Sequence, residues 1–127
     1  MQQENNDFQK IIACLFHSRN QTHIYHWQTN SFAQHLALDS YYSDIIGLTD
    51  KLVEVYQGKY GIQKGYQAEL CKCEIDEDIN NVIAFFDILV AELNKYKSFF
   101  TDSYMANIFD EIIELAYQTK YKLDNLK

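Results

Sequence analysis

The sequence predicts an all-α protein, a bundle of four helices with a long crossover between the second and third helices. The chain contains no proline and only four glycines, so little in it interrupts long helices. Apolar residues recur at helical spacing in four segments. One connection, from Lys59 to Glu77, is much longer than the others. Because the chain has 127 residues, of which 47% are hydrophobic, we expect a single domain over residues 1–127.

The first two helices are predicted from apolar stripes that end at short breaks. The first runs from Asp7 (or Asn6) to Thr29. Asn30-Ser31 then supplies a break and an N-cap, and the second helix runs from Phe32 to Gln57, where Gly58 is a typical stop. The residues expected to face inward on the first helix are Phe8, Ile12, Leu15, Phe16, His23, His26 and Trp27. Those on the second helix are Leu38, Tyr41, Tyr42, Ile45, Leu48, Leu52 and Tyr56.

The third and fourth helices follow the long connection. Negative charge in Asp76–Asp78 favours a helix start there, so the third helix is predicted from Asp78 to Phe99. Residues Thr101 to Ser103 cap the fourth helix. The residues expected to face inward on these two helices are Ile79, Val82, Ile83, Phe86, Leu89, Val90, Leu93 and Tyr96, then Met105, Ile108, Phe109, Ile112, Leu115, Ala116 and Leu123. Two short connections and one long one are typical of the ferritin-like arrangement.

Charge and composition argue against several partners. The net charge is −7 and the basic residues are scattered, whereas nucleic-acid binding needs clustered Lys and Arg. The longest apolar run, Val82 to Val90, is broken by Asp87 and is too short to cross a membrane. Met1 to Lys10 does not resemble a secretory signal, and three cysteines without framework spacing favour a reducing compartment. We therefore expect a cytoplasmic protein that binds neither membrane nor DNA.

Four metal-binding residue types stand at symmetric positions on the second helix, namely His35, Asp39, Asp50 and Glu54. At about 100° per residue their side chains fall within an arc of roughly 100° on one helix face. However, His35 and Asp39 lie roughly 22 Å along the helix axis from Asp50 and Glu54. No single metal centre can span that distance.

A second copy of the chain resolves this difficulty. The outer pair (His35 and Glu54) and the inner pair (Asp39 and Asp50) share one midpoint in the sequence. An antiparallel second helix placed across that midpoint brings each histidine to the glutamate of the other chain, which is the contact of a two-fold dimer. Ser43 lies near the midpoint and is small enough to allow close approach, as is Gly47. The spacing therefore predicts two metal sites shared across a dimer interface.

Three stretches, His26-Trp27, His35 to Asp39 and Asp50 to Glu54, resemble the signature of the Dps mini-ferritins. The resemblance implies a ferritin-like protein that oxidises ferrous iron at a two-fold interface and mineralises it inside a cage. It also implies a distribution of the ligands between two chains. His26, His35 and Asp39 would come from one subunit, and Asp50 and Glu54 from its mate.

The chain departs from the Dps pattern at three points, the first of which is its short overall length, which leaves open whether a twelve-subunit cage forms. The interval from His26 to His35 is shorter than in typical Dps proteins, which makes His23, one turn earlier, an alternative ligand. The lysine-rich tail with which many Dps proteins bind DNA is absent. The sequence of residues Tyr25 to His35 is also similar to that of small uncharacterised proteins encoded by tailed phages. If this protein is encoded by a phage, we expect it in the host cytoplasm.

The ligand types indicate the chemistry. Imidazole and carboxylate together suit Fe(II), Mn(II) or Zn(II). The resemblance to the Dps mini-ferritins implies iron, as Fe(II) and Fe(III), with Mn or Zn as alternatives. The sequence lacks the Glu-x-x-His motif of ferritins with a site inside one subunit, so only the inter-subunit arrangement is open to it. We expect a homo-oligomer, which is at least a dimer and, if the resemblance to Dps proteins extends that far, a cage. We also expect ferroxidase-type activity, with no catalytic residue other than the metal ligands. The alternative is a ferritin-like scaffold that acts as a phage interaction or structural protein with a vestigial or structural metal.

Overall fold

The computed structural model describes residues 6–68 and 81–126. These residues form the helices α1 (Asp7–Gln28), α2 (Phe32–Tyr60), α3 (Val82–Tyr96) and α4 (Ser103–Asn125), and a short 3-10 helix (Lys97–Phe99) continues α3. The prediction of an all-α protein with four helices is confirmed. Within the described residues, no helix is both long and apolar enough to span a membrane.

Among the described residues, α2 and α3 have few contacts, made across the core, where a tyrosine ring of α2 meets a phenylalanine ring of α3 at 5.2 Å. α2 packs between α1 and α4, and α3 packs against α4 and more lightly against α1. Near one end of the bundle Phe8 of α1 stacks on Tyr56 of α2, with ring centroids 3.7 Å apart. Near the other end Tyr25 of α1 meets Phe85 of α3 at 5.4 Å. Thus α2 ends and α3 begins at opposite ends of the bundle, as a long crossover between them requires.

The core draws on all four helices. Leu38 and Leu52 of α2 are fully buried, and burial of one such side chain contributes roughly 1.5–3 kcal/mol. The Tyr41 hydroxyl reaches the core as well, where it hydrogen-bonds the Ser18 hydroxyl at 2.8 Å. Other large side chains that are almost completely buried include Phe8, Ile11, Ile12, Leu15, Tyr25, Ile45, Phe85, Phe86, Leu89, Leu93, Met105, Phe109 and Ile112.

The turn between α1 and α2 is short and internally bonded. Ser31 caps α2, since its hydroxyl accepts a hydrogen bond from the Gln34 amide at 3.1 Å. The Thr29 hydroxyl accepts from the Ser31 amide at 3.1 Å and donates to the Gln34 side chain at 2.7 Å. The break expected at Asn30-Ser31 is therefore present. It brings the last turn of α1 directly beside the first turn of α2.

Two predicted helix ends were wrong. α2 continues through Gly58 to Tyr60 and ends at Gly61, whose φ of 93° suits glycine and whose amide bonds the Gln57 carbonyl at 2.8 Å. α3 begins at Val82 rather than at Asp78, because the Asn81 side chain caps it by accepting from the Ala84 amide at 3.0 Å. The acidic run over residues 76–78, and the inward position expected for residue 79, lie outside the described residues.

Several residues expected to face inward are exposed. Phe16 is 39% exposed and Trp27 is 67% exposed, both on α1, and Ile83 of α3 is 37% exposed. Tyr42 is only half-buried and packs on His23 instead of entering the core. In each case the helical spacing was correct, but none of the four described helices fully covers that side of the helix. Phe16 borders a groove between α1 and α2, which also contains part of the candidate site.

Candidate metal site

His26 and His35 form a closely packed pair where α1 ends and α2 begins. Their rings stack with centroids 3.6 Å apart and planes 25° from parallel. His26 Nδ1 hydrogen-bonds the His35 carbonyl at 2.9 Å, and His35 Nδ1 hydrogen-bonds the His26 carbonyl at 3.0 Å. Because a carbonyl oxygen can only accept, each Nδ1 must carry the proton and donate. In the neutral ring, each Nε2 then keeps its lone pair.

The short turn explains this reciprocal pairing. The His26 carbonyl is one of the last four in α1, which have no amide partner within the helix. The His35 ring lies within reach because only three residues separate the two helices. His26 is 9% exposed, and neither Nε2 has a hydrogen-bond partner among the described residues. A backbone carbonyl that fixes Nδ1 while Nε2 stays open is the usual setting of a histidine that binds metal.

Tyr42 lies between this pair and His23. The His23 ring stacks on Tyr42 at 4.0 Å, while His26 meets Tyr42 edge-on at 5.2 Å. The Arg19 guanidinium lies 5.7 Å from the centre of the same tyrosine ring. Desolvation, followed by the positive charge of Arg19, lowers the pKa of His23. The structure therefore pairs His35 with His26, and His23, the alternative ligand, lies with its ring centroid 6.1 Å from that of His26.

Asp39 lies one turn after His35 and is half-buried. Its carboxylate interacts with the Tyr42 hydroxyl, which raises the pKa of Tyr42. Among the described residues of one chain, no three His, Cys, Asp or Glu side chains come together in a way that could hold a metal ion. Asp39 thus lies near the histidine pair without completing a three-ligand site with it. We call His26, His35 and Asp39 the imidazole end of the candidate site.

Asp50 and Glu54 lie more than two turns further along the same face of α2. Both are exposed, and neither forms a hydrogen bond or an ion pair within the described part of the chain. They border two adjoining cavities of about 250 Å³ and 390 Å³ between α1 and α2, which we call the α1–α2 groove. Its lining includes Phe16, Arg19, Ile46, Thr49, Asp50 and Glu54. We call Asp50 and Glu54 the carboxylate end.

The two ends cannot meet within one chain. Fifteen helical residues separate His35 from Asp50, which corresponds to roughly 22 Å along the axis of α2. α2 is continuous over this interval, so no bend shortens the distance. Each chain therefore carries two separate parts of the predicted ligand set.

Two residues of this region were missed as site residues in the sequence. Tyr42 follows Asp39 by three residues and His35 by seven, so helical spacing places all three on one face. Arg19 precedes His23 by four residues and His26 by seven, on one side of α1. These spacings could have revealed both residues. The reciprocal bonds of the histidine pair could not be predicted, since they depend on the geometry of the turn.

The chain belongs to DUF5856, a family of unknown function, whose sequence profile matches residues 26–123. The matched range includes His26, His35, Asp39, Asp50 and Glu54. Neither the curated proteins nor the solved structures include a match to this chain.

Proposed function

We propose that this protein is a ferritin-like metal-binding protein that binds and oxidises Fe(II) at sites shared across a two-fold dimer interface. The observation that carries the proposal is the pairing of His26 with His35 through reciprocal bonds from Nδ1 to the backbone. These bonds commit one nitrogen of each ring and leave the other free. A histidine that only fills a core has no need of a free nitrogen.

The arrangement of the helices supports the ferritin-like part of the proposal. Among the described residues α2 and α3 pack little against each other, and α2 ends at the opposite end of the bundle from the start of α3. A four-helix bundle with one long crossover has this connectivity. It agrees with the resemblance to the Dps mini-ferritins, in which the site lies between subunits.

The donor set suits ferrous iron as a substrate. Imidazole nitrogen and carboxylate oxygen are common ligands of Fe(II), and also of Mn(II) and Zn(II). The histidine pair supplies neutral donors with fixed orientation, while Asp39, Asp50 and Glu54 supply negative charge. That negative charge favours Fe(III) over Fe(II), since it attracts the more highly charged ion more strongly. Oxygen or peroxide would accept the electrons that iron loses.

The geometry of the histidine pair indicates how many metal ions each site binds. An imidazole lone pair lies in the plane of its ring, and the planes of His26 and His35 are only 25° from parallel, with centroids 3.6 Å apart. Two such rings are better placed to bind two neighbouring ions than to share one. Ions in two-metal sites lie roughly 3.5–4 Å apart, which is close to the ring separation. We therefore expect two ions per site and, with two sites per dimer, two ions per chain.

A second copy of the chain would complete each site. In an antiparallel dimer, the carboxylate end of one chain lies opposite the imidazole end of the other. Exposed Ile46 supplies apolar contact near the two-fold axis. Apart from the adjoining backbone of α2, no heavy atom of the described residues lies within 4 Å of a Cβ placed on Gly47, so this stretch of α2 is open to close approach.

Native mass spectrometry before and after anaerobic addition of Fe(II) tests this function. We expect that, after the addition, an even-numbered assembly carries up to two iron atoms per chain and consumes oxygen when air is admitted. A His35→Ala variant should lose both properties. The matched control is His17→Ala, because His17 lies on α1 beside Phe85, away from the site. A wild-type protein that takes up no divalent metal would contradict the proposal.

A second candidate function has one observation in its favour. Trp27 and Phe32 flank the α1–α2 turn and are 67% and 75% exposed, which is unusual for large apolar side chains. A protein partner could cover them, as expected for a ferritin-like scaffold with a vestigial or structural metal. The same experiment separates the two functions: a dimer that holds metal without consuming oxygen supports the scaffold.

A further inference from the structure

The outer surface formed by α1 and α2 carries an unbalanced negative charge. Asp39, Asp50 and Glu54 all lie on it, and the last two are exposed and unpaired among the described residues. Within that part of the chain, Arg19 is the only cation that lines the α1–α2 groove. Its guanidinium already lies over Tyr42, and its Nη1 donates to the Asn20 side chain at 3.0 Å. Arg19 therefore leaves most of the carboxylate charge uncompensated.

Apolar residues on the same surface favour association. Phe16, Leu36 and Ile46 are 39%, 49% and 44% exposed, and they lie between and beside the carboxylates. Their burial against a partner would stabilise a complex by about 25 cal/mol per Å² of apolar area. The surface thus combines a tendency to associate with a charge that opposes association.

Direct contact of two such surfaces without metal is unfavourable. In the antiparallel arrangement Asp39 of one chain faces Asp50 and Glu54 of the other, so three carboxylates meet at each site. Their burial removes hydrating water without supplying a partner, and their mutual repulsion adds to that penalty. The whole chain carries a net charge of −7, which opposes association further.

We infer that a divalent metal ion controls the dimerisation of this chain, so that metal-free chains are monomeric and metal joins two copies across the α1–α2 groove. This step rests on the shared site proposed above. Each ion brings two positive charges to the place where the three carboxylates meet. Because the full ligand set exists only in the dimer, metal binds the dimer in preference to the monomer. Mass action then shifts the equilibrium towards the dimer.

The occupant of the groove is a second copy because the surface is complementary to itself. The open histidine nitrogens lie at one end of α2 and the unpaired carboxylates at the other, in an order that matches when the helix is reversed. Near the midpoint α2 presents Ser43 and Gly47, which leave room for a second helix. A different partner would need to supply its own metal ligands for both ends.

Sedimentation velocity tests the inference, with the metal content measured in each sample. The protein is run in EDTA, and then without chelator in the presence of Zn(II) or, under anaerobic conditions, Fe(II). We expect a monomer in EDTA and a dimer with either ion, with a dimer dissociation constant at least tenfold lower. A stable dimer that is already present in EDTA and that binds metal would overturn the inference and leave the proposed function intact, whereas metal bound to a chain that stays monomeric would overturn both. Absence of bound metal would overturn both.

A charge-neutralising variant separates repulsion from a general structural role. Asp50→Asn removes one carboxylate from each site, so the metal-free variant should dimerise more tightly than the metal-free wild type, while metal strengthens its association less. The control is Asp44→Asn, an equal change of charge at an exposed position on the same helix, about 120° away around its axis. If the two variants associate equally in EDTA, carboxylate repulsion does not control the dimer and the inference is wrong.

Discussion

The two ends of the candidate site differ in how far one chain organises them. At the imidazole end, ring stacking and two hydrogen bonds fix the histidine pair, and Tyr42 packs against His26. At the carboxylate end, Asp50 and Glu54 are exposed and have no partner among the described residues. The difference teaches that contacts within the chain pre-organise one half of the ligand set. In the proposed dimer, the other half gains its contacts from the second chain.

The largest expected effects come from removing one ligand at each end. His35→Ala and Glu54→Ala should each abolish metal binding at both sites of the dimer, because every site draws on both chains. Their effects on folding should differ. His35→Ala loses the ring stack and the bond to the His26 carbonyl, so the free energy of unfolding should fall by about 1–2 kcal/mol. Glu54→Ala should stay within about 0.5 kcal/mol of the wild type.

Urea denaturation of the metal-free proteins measures this difference, and titration with Zn(II) measures the loss of binding. Equal destabilisation by the two variants would contradict the contrast between the ends. If Glu54→Ala retained the metal stoichiometry and affinity of the wild type, the shared site itself would be wrong.

The next largest effect concerns the proposed contact between the α2 helices of two chains. Gly47→Leu adds a side chain at an exposed position, where its Cβ would meet no described neighbour within 4 Å, so the fold should be kept. The added side chain occupies the space that a second α2 needs, and metal-induced dimerisation should be lost. Gly58→Leu is the matched control, since Gly58 is also an open glycine of α2 but lies at its end, away from the midpoint. A dimer of unchanged stability in Gly47→Leu would show that α2 does not form the interface.

A smaller effect is expected from two neighbouring tyrosines. Tyr42→Phe removes the hydroxyl that interacts with Asp39, and the loss of such a partner lowers metal affinity by roughly 10–100-fold in other sites. Tyr41→Phe removes the hydroxyl that bonds Ser18 in the core, so it should cost about 1 kcal/mol of stability and leave metal affinity unchanged. Isothermal titration and thermal melts of both variants check the prediction. It fails if Tyr42→Phe changes the melting temperature but not the affinity.

Much of the fold could be predicted because helical periodicity is a local property. The number of helices, both bounds of α1 to within a residue and the Ser31 cap all follow from residues close in the sequence. The end of α2 could not be chosen in this way, since Gly58 and Gly61 are equally good stops and only Gly61 adopts a positive φ. The exposure of Phe16 and Trp27 depends on which helices lie beside α1, and periodicity gives only an angle around the axis.

The candidate site, too, has features that the sequence predicts and features that only the structure reveals. The spacing from His35 to Glu54 is carried by one continuous helix, so the common face of those residues follows from the sequence. The choice between His23 and His26 as the companion of His35 depends on the path of the short turn. Only the structure reveals that His26 bonds the His35 backbone while His23 stacks on Tyr42.

The most direct test of the shared site is a mixture of two inactive variants. In a heterodimer of His35→Ala and Glu54→Ala chains, one site carries both substitutions and the other carries neither. Random pairing of equal amounts makes half of the dimers heterodimers, so the mixture should recover about one quarter of the wild-type sites, measured as tightly bound Zn(II) and as the rate of Fe(II) oxidation. Each variant alone should recover none. A mixture that exchanges subunits but binds no more metal than the separate variants would contradict a site built from two chains.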